Sequence, residues 1–252
     1  MLNCCDFYKD IGYICGDIRF NITYAGNWPF LAVSVGNAFH IYSAEDLKLT
    51  YISEPHSSKI LHIAADPGYV YTATNNTLRV TNTTINKFKE IELNEPISNL
   101  LVLGPIFVTT HDSIFTGYST YPFKIHDDDD EYDVSEDLIQ ELFSIDCGCD
   151  ITTIMHPNGY PDKFLVALSD STFQLWNVKS KMQIYGFNGF DSIIRQIVQS
   201  PDMDVFAFAL YDGRVVMHNV RTDETLFSLQ HPTPINDMSF RLDGPPQFSV
   251  GL

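Results

Sequence analysis

Apolar and polar residues alternate in short runs along most of the chain, and turn-forming residues separate these runs. The clearest run, residues 163–178, holds an apolar segment, a polar turn at Asp170 and an alternating segment. Because side chains alternate along a strand, Phe173 is expected on one face, and Gln174 and Trp176 on the other. The Asp170 carboxylate can accept hydrogen bonds from backbone N–H groups in the turn. This stretch therefore predicts a β-hairpin.

The same hairpin pattern recurs four more times. The other copies are Gly36–Ser43, Asn75–Thr81, His111–Gly117 and Tyr211–Asn219. The residues that correspond to Trp176 fall at positions 42, 81, 117, 176 and 218, with offsets of 39, 36, 59 and 42 residues. A WD repeat, which forms one blade of a β-propeller, has a period of about 40 to 45 residues. We therefore predict an all-β fold, a WD40 β-propeller of about five blades with a partial sixth.

The predicted blades lie within one domain, residues 1–252, in which residues 1–10 form an irregular lead-in. Residues 121–140 are predicted to be an acidic loop inserted in the third blade, and Glu141–Asp146 its fourth strand. The sixth repeat stops at Gln247–Leu252, inside its second strand. Because propellers protect their strand edges by closure, we expect the chain to be a fragment of a larger propeller.

Charge separates the predicted loop from the rest of the chain. The net charge is −17, and eight acidic residues fall within the eleven positions 127–137. A chain this acidic is a poor candidate for a broad nucleic-acid surface, which needs clustered lysine and arginine. The loop is interpreted as a solvated spacer, with a docking site for a basic partner as the alternative. The candidate contacts for such a partner are Asp127, Asp128, Asp129, Asp130 and Glu131.

The sequence contains no recognisable catalytic constellation. Gly-x-Ser-x-Gly, glycine-rich phosphate-loop and His-Glu-x-x-His motifs are absent. The Cys147 and Cys149 pair lacks further ligands at the short spacing that a metal site needs. His40 and His218 are predicted to be packing or hydrogen-bonding residues. We therefore predict no enzyme activity, no cofactor, no metal and no small-molecule substrate. No apolar run reaches the 18 residues of a membrane-spanning helix, so no membrane partner is predicted.

Both ends of the chain resemble one family of WD-repeat proteins. Near the start, Val33–Tyr42 and Leu47–Ser53 are similar to the opening blade of the U3 small nucleolar RNA-associated protein twenty-one family. Near the end, Asp212–Arg221 and Ile235–Gly244 look like two further segments of that family. The resemblance covers nearly the whole chain with gaps and is weakest between residues 82 and 140. Members of this family are tandem-propeller subunits of the UTP-B subcomplex.

The resemblance implies a non-enzymatic scaffold of the small-subunit processome in the nucleolus of the nucleus. Such a protein would act in ribosome biogenesis, pre-rRNA processing and 18S rRNA maturation. Its partners would be other UTP-B and processome WD-repeat proteins. The U3 small nucleolar ribonucleoprotein and pre-rRNA would be reached through the complex, with little direct RNA binding.

Two other functions remain open at this stage. The first is a propeller adaptor in another complex, such as a ubiquitin-ligase receptor or a vesicle coat. The second is a propeller hydrolase, which would need carboxylates or histidines that converge at the central channel.

Overall fold

A computed structural model describes residues 18–123, 139–242 and 247–252. These residues form 22 β-strands and one short 3-10 helix at Tyr121–Phe123. The strands build five four-stranded sheets, here called blades 1 to 5, and one two-stranded sheet, blade 6. The predicted all-β class, with five blades and a partial sixth, is confirmed.

Strands that are neighbours in sequence are also neighbours in each sheet. Blades 1 and 2 consist of β1 Asn21–Ala25, β2 Trp28–Val35, β3 Ala38–Ser43, β4 Leu49–Ile52, β5 His62–Asp66, β6 Tyr69–Ala73, β7 Thr77–Asn82 and β8 Lys87–Glu92. Blades 3 and 4 consist of β9 Asn99–Leu103, β10 Ile106–His111, β11 Ile114–Ser119, β12 Glu141–Asp146, β13 Ile151–Met155, β14 Lys163–Leu168, β15 Phe173–Asn177 and β16 Met182–Phe187. Blades 5 and 6 consist of β17 Ile194–Gln199, β18 Val205–Leu210, β19 Arg214–Asn219, β20 Glu224–Gln230, β21 Asp237–Phe240 and β22 Phe248–Gly251.

The chain divides into two compact units, and the division falls within blade 3. The first unit is Met1–Phe107 with Ser119–Gln140, and the second is Val108–Tyr118 with Glu141–Leu252. In the first unit the first strands β1, β5 and β9 contact one another in succession. In the second unit β13, β17 and β21 do the same. Within each unit, successive blades therefore meet along their first strands, as blades of a propeller do.

The predicted hairpin turns form by the same chemistry in blades 4 and 5. The Asp170 carboxylate accepts the backbone N–H of Thr172 at 3.0 Å, and the Asp212 carboxylate accepts that of Arg214 at 3.0 Å. The next residue has a positive φ in both turns, 75° at Ser171 and 85° at Gly213. Short polar side chains that accept a hydrogen bond from the backbone N–H two residues later are typical of such turns.

Aromatic side chains join blade 4 to blade 5. Phe173 stacks on Phe187 with ring centroids 4.2 Å apart, and it lies 4.7 Å from Phe208 in the next blade. All three rings are buried. Aromatic pairs at such distances contribute about 0.5 to 1.5 kcal/mol beyond the burial of their area. The second unit therefore has its main core between these two sheets.

A backbone hydrogen bond at the end of the third strand corrects one predicted repeat position. The backbone N–H two residues after Trp176, at Val178, bonds the Asp162 carbonyl at 2.9 Å. In blade 3 the equivalent bond runs from the N–H of Thr120 to the Pro105 carbonyl. The equivalent of Trp176 is therefore Tyr118, where a register shift also occurs, and not residue 117 as the spacing indicated.

Strand boundaries differ from the prediction by a few residues at each end. The sequence pattern predicts a first strand over residues 18–23, whereas β1 is Asn21–Ala25, and its pairing with β2 begins with Asn21 opposite Ala32. Residues 1–10 and most of the predicted acidic loop lie outside the described residues. The division of the domain into lead-in, blades and loop therefore stays a prediction.

Candidate functional site

The predicted docking residues, Asp127, Asp128, Asp129, Asp130 and Glu131, lie outside the described residues. The segment that contains them leaves blade 3 between its third and fourth strands. At its base, the Ser119 N–H donates to the Gln140 carbonyl at 3.0 Å. The predicted contact with a basic partner stays a prediction.

The structure reveals a different candidate, a groove of about 450 Å³ within the first unit. It lies at the end of blade 1 where β2 begins, against the turn that joins β7 to β8 in blade 2. The floor and one wall are apolar, formed by Trp28, Pro29, Phe30, Ile41 and Tyr51. The rim is polar, formed by Ser43, Glu45, Thr50, Thr83, Thr84 and Asn86. We call this site the Trp28 groove.

The apolar part of the Trp28 groove combines buried and exposed rings. Phe30 and Ile41 are buried and form a fixed floor. Trp28 is 70% exposed, which is unusual for a side chain that normally buries 150 to 250 Å². Burial, together with the Glu54 charge, raises the pKa of the Tyr51 hydroxyl, so this group stays neutral. Exposed tryptophan at the edge of a groove is the residue type most enriched at binding hot spots.

The polar rim contains both engaged and uncommitted groups. The Thr50 hydroxyl donates to the Ile41 carbonyl at 3.0 Å, and the Thr83 hydroxyl to the Gly68 carbonyl at 3.1 Å. Four other side-chain donors have no hydrogen bond to any residue in the described ranges. They are Trp28 Nε1, Ser43 Oγ, Thr84 Oγ1 and Asn86 Nδ2. The rim can therefore donate hydrogen bonds to an incoming ligand.

The charge of the groove comes from one residue. Glu45 supplies a carboxylate, and the lining includes no lysine, arginine or histidine. Sequence patterns missed this site because its walls belong to two blades that are about 40 residues apart in the chain. The Trp28-Pro29 pair at the start of β2 was the available signal in the sequence.

The histidines have structural contacts, as predicted for His40 and His218. His40 is buried, and its Nδ1 lies 3.1 Å from the Tyr42 hydroxyl. A further buried histidine, which the sequence patterns did not single out, links two blades. His56 Nε2 lies 2.8 Å from the Thr72 hydroxyl, and burial, with the Arg79 charge, lowers the pKa of His56 to about 4. Its ring is therefore neutral near pH 7.

His218 lies beside a hydroxyl and a carboxylate, the groups that accompany a histidine in acid–base chemistry. Its Nδ1 is 3.3 Å from the Thr225 hydroxyl, and its Nε2 is 3.2 Å from an Asp223 carboxylate oxygen. The Tyr185 hydroxyl donates to the other oxygen of Asp223 at 2.9 Å. The ring is only 5% exposed and contacts four phenylalanine rings edge-on. It occupies the position that Trp176 has in blade 4, so its role is to pack blade 5 against blade 4.

Trp176 packs against blade 3. Its ring lies 6.4 Å from Phe115 in an edge-on contact, and its Nε1 donates to the Gln174 side chain at 2.7 Å. Gln174 and Trp176 therefore share one face of the sheet, and buried Phe173 lies on the other.

Other classes of site have little support in the described part of the chain. No group of three or more His, Cys, Asp or Glu side chains there could hold a metal ion. Cys147 and Cys149 are free thiols, and burial raises the pKa of Cys147 to about 12. No helix among these residues has the length and apolar character needed to cross a membrane.

With this geometry in hand, comparison with known proteins assigns the family. Residues 31–252 match the family model described as the WDR36/Utp21 first beta-propeller. The chain belongs to the WDR36/Utp21 first beta-propeller family. The predicted resemblance and the predicted WD40 β-propeller fold are confirmed.

Members of the WDR36/Utp21 family from three organisms match most of the chain. WD repeat-containing protein 36 of Homo sapiens is 28% identical over 88% of this chain and 24% of its own length. U3 small nucleolar RNA-associated protein 21 of Saccharomyces cerevisiae is 27% identical over 97% of this chain and 26% of its own length. Its homolog in Schizosaccharomyces pombe is 24% identical over 95% of this chain. The chain spans about a quarter of the length of these relatives.

Solved structures support the fold of this WDR36/Utp21 propeller. A chain in the crystal structure of the Mitotic Checkpoint Complex superposes with a TM-score of 0.70 at 8% identity. That match covers 92% of this chain and 71% of the other. The computationally designed Ika8 protein gives a TM-score of 0.62 at 14% identity, over 87% of this chain and 64% of its own. These likenesses concern the fold alone.

Proposed function

We propose that this protein is a non-enzymatic scaffold of the small-subunit processome that acts in ribosome biogenesis, through pre-rRNA processing and 18S rRNA maturation. The observation that carries the proposal is the family match over residues 31–252. Two relatives in that family are named for association with U3 small nucleolar RNA. The protein would then work in the nucleolus, as a UTP-B subunit.

The composition of the chain supports a role made of protein contacts. A net charge of −17 disfavours a broad RNA surface, because phosphate binding depends on clustered lysine and arginine. The proposed partners are other WD-repeat proteins of UTP-B and the processome. U3 small nucleolar ribonucleoprotein and pre-rRNA are then contacted mainly through the complex.

The local chemistry supports a scaffold over a hydrolase. His218, which lies beside both a carboxylate and a hydroxyl, is almost fully enclosed by phenylalanine rings. A general base must reach the proton that it abstracts. The ring instead contributes to the packing of blades 4 and 5.

Affinity purification of the full-length protein from its own cells tests this function. The tagged protein should recover U3 small nucleolar RNA and processome proteins at least tenfold above an unrelated tagged WD-repeat protein. A wash series in rising salt should release RNA and protein partners together, because the RNA is held through the complex.

A stable partner set without U3 RNA or nucleolar proteins would contradict the proposal. If those partners were ubiquitin-ligase or vesicle-coat subunits, an adaptor role in another complex would replace it. Recovery of RNA after the protein partners have been washed away would contradict the claim of indirect RNA contact.

A further inference from the structure

We propose that the outer edge of β16 binds an extended segment of a partner protein as an added antiparallel β-strand, with apolar residues at alternate positions and an acidic carboxyl-terminal end. This inference concerns a binding site and a ligand class, and it is independent of the processome role proposed above. Three properties of the edge lead to it: an unpaired backbone, exposed side chains without charge, and two lysines at the start of the strand.

The backbone of β16 is paired on one side alone. β16 is the last strand of the blade 4 sheet, and its partner in that sheet is β15. Within the described ranges, the backbone of residues 182–186 forms no hydrogen bond outside this sheet. An added strand offers the outer edge the same ladder of donors and acceptors that β15 offers the inner edge. Antiparallel pairing is the more stable arrangement of such a strand.

The side chains distinguish β16 from other outer strands. Natural edge strands avoid unwanted pairing when they are very short or carry charges. β4 has four residues, β8 carries two lysines and two glutamates, and β12 begins and ends with a carboxylate. β16 has six residues, and none of them is charged. The register shift between β15 and β16 also occurs at β4, β12 and β20, so it does not set β16 apart.

The exposed apolar side chains of β16 are not explained by an incomplete neighbour. Met182 is 64% exposed and Ile184 47%, although blade 4 packs against the four-stranded blade 5. Ile184 has no partner in β15, because the register shifts there. In β20, by contrast, exposed Phe227 lies opposite Met217, on the face of blade 5 next to the two-stranded blade 6. Apolar residues on an added strand would cover Met182 and Ile184.

Two lysines select the charge at one end of the ligand. Lys179 and Lys181 precede β16, are exposed, and form no side-chain hydrogen bond or ion pair with a described residue. Asp162 and Lys163, which adjoin this turn, carry opposite charges, and the Asp223 carboxylate of blade 5 accepts a tyrosine hydroxyl of β16. The carboxyl-terminal end of an antiparallel ligand would lie beside the two lysines, which attract aspartate or glutamate there.

A second copy of the chain fits this edge less well than a short partner segment. Each copy has a net charge of −17, and like net charges oppose self-association. A short segment brings only its own acidic end, which meets the lysines. The ligand is therefore assigned to a partner protein.

Binding of defined peptides to the full-length protein tests the proposal. The probes are fluorescein-labelled peptides in which valine and threonine alternate over six residues, the length of β16, followed by two aspartates. In one matched set lysines replace the aspartates, and in another the aspartates precede the alternating residues. Fluorescence anisotropy should show saturable binding of the first set, at least about tenfold tighter than binding of either matched set.

Methylation of backbone nitrogens in the peptide distinguishes strand addition from side-chain contact alone. Along an antiparallel edge, only every second residue of the added strand exchanges hydrogen bonds with its neighbour. Methyl groups on alternate nitrogens in one frame should therefore abolish binding. Methyl groups in the other frame should weaken binding by less than about threefold.

Variants then locate the site. Ile184→Asp should weaken binding at least about tenfold, because aspartate is a poor strand former, and Ile184→Val by less than about threefold. Lys179→Glu combined with Lys181→Glu should remove the preference for aspartate over lysine. Leu49→Asp changes an exposed leucine in the outer strand of blade 1 and should leave binding unchanged. Circular dichroism of each variant ensures that losses are compared between folded proteins.

Five outcomes would overturn the proposal. Three concern the peptides: no saturable binding of the first set below about 1 mM, equal binding of that set and either matched set, and equal binding of the two methylation frames. The fourth is binding that Ile184→Asp leaves unchanged. The fifth is self-association of the protein that Ile184→Asp abolishes, which would assign the edge to a second copy. Failure of the U3 purification would leave these tests and their meaning unaffected.

Discussion

Blades 4 and 5 have equivalent outer strands, but their apolar side chains have different surroundings. Phe187 in β16 pairs with Phe173 and is 3% exposed, whereas Leu229 in β20 pairs with Val215 and is 46% exposed. Blade 5 has four strands and packs on blade 4. Blade 6 has two described strands, β21 and β22, and these cover the inner part of blade 5.

This difference shows that an outer strand needs the next blade, in addition to its own sheet, to bury its apolar side chains. The Phe187 ring is held by its own sheet and by contacts that extend to His218 in blade 5. Phe227 and Leu229 alternate with polar residues as a core strand should, yet both remain half exposed. Repeat proteins behave in this way because each unit buries its apolar face only against a neighbour.

The largest predicted effect comes from replacing Phe187 and Leu229, one at a time, with alanine. Phe187→Ala should lower the free energy of unfolding by about 3 to 5 kcal/mol, because it leaves a cavity in a packed core. Leu229→Ala should cost less than about 1 kcal/mol, because water already reaches the side chain. Urea unfolding followed by circular dichroism measures both. Similar losses for the two variants would mean that the outer strands are equally buried.

Sequence alone predicted most of the strand pattern in this region. The Asp170 and Asp212 turns, the third strands after them and the opposite faces of Phe173 and Trp176 all follow from local alternation and turn chemistry. The assignment of Tyr118 as the repeat equivalent of Trp176 could not be read in this way. Both residues follow the same register shift, and their equivalence is shown by backbone hydrogen bonds, from the Thr120 N–H to the Pro105 carbonyl and from the Val178 N–H to the Asp162 carbonyl, which local alternation does not reveal.

The candidate site was less predictable than the fold. Sequence reasoning chose Asp127 to Glu131 for their charge, and that choice remains untested. The Trp28 groove depends on which side chains of blade 1 face a turn of blade 2, which is tertiary information. The different exposure of Phe187 and Leu229 is also tertiary information. Both residues lie in apolar strand patterns, so the sequence pattern does not distinguish them.

The second predicted effect concerns His218, which has in blade 5 the position that Trp176 has in blade 4. Burial lowers the pKa of His218 from its ordinary value of 6.5, and the nearby Asp223 carboxylate opposes part of this shift. As the pH falls below 6.5, the unfolded state therefore takes up a proton on this ring while the folded state keeps the ring neutral. Stability from this residue is full above pH 6.5 and is lost as the pH falls from 6.5 towards the folded pKa, by at most about 1.4 kcal/mol per pH unit.

Comparison of two variants isolates the contribution of His218 to the pH dependence of stability. His218→Phe should lose less stability than the unchanged protein between pH 7.5 and pH 5.5, whereas Trp176→Phe should lose as much as the unchanged protein. Four other histidines with lowered pKa, His40, His56, His62 and His156, are common to all three proteins and cancel in the comparison. Parallel pH curves for His218→Phe and the unchanged protein would exclude the proposed burial of a neutral ring.

The third effect compares the two hairpin turns. Gly213→Ala should destabilise by about 1 to 3 kcal/mol, because φ is 85° and an added Cβ would lie 2.9 Å from the carbonyl oxygens of His231 and Thr233. Ser171→Gly should stabilise by about 1 kcal/mol or less, because it relieves a positive φ of 75°. Thermal unfolding of the two variants should show shifts of opposite sign, and shifts of the same sign would refute the equivalence of the turns.

The smallest effect is expected from the turn carboxylates. Asp170→Ala removes bonds to the backbone N–H and the hydroxyl of Thr172, and Asp212→Ala removes a bond to the Arg214 N–H and an exposed ion pair with its side chain. Each substitution should cost about 0.5 to 1.5 kcal/mol, since exposed ion pairs add little. Asp212→Asn, which keeps the backbone acceptor, should recover most of the loss, and no recovery would assign the effect to the ion pair.

Amide hydrogen exchange of residues 1–252, resolved by mass spectrometry, tests most directly the claim that each blade is stabilised by the next. The β15–β16 hairpin of blade 4 should exchange at least about tenfold more slowly than β20 and the β21–β22 pair, because only the former is packed against a four-stranded neighbour. Phe187→Ala should then raise the exchange of blade 4 towards that of β20. Equal protection of the two regions in the unchanged chain would contradict the account of how these blades hold together.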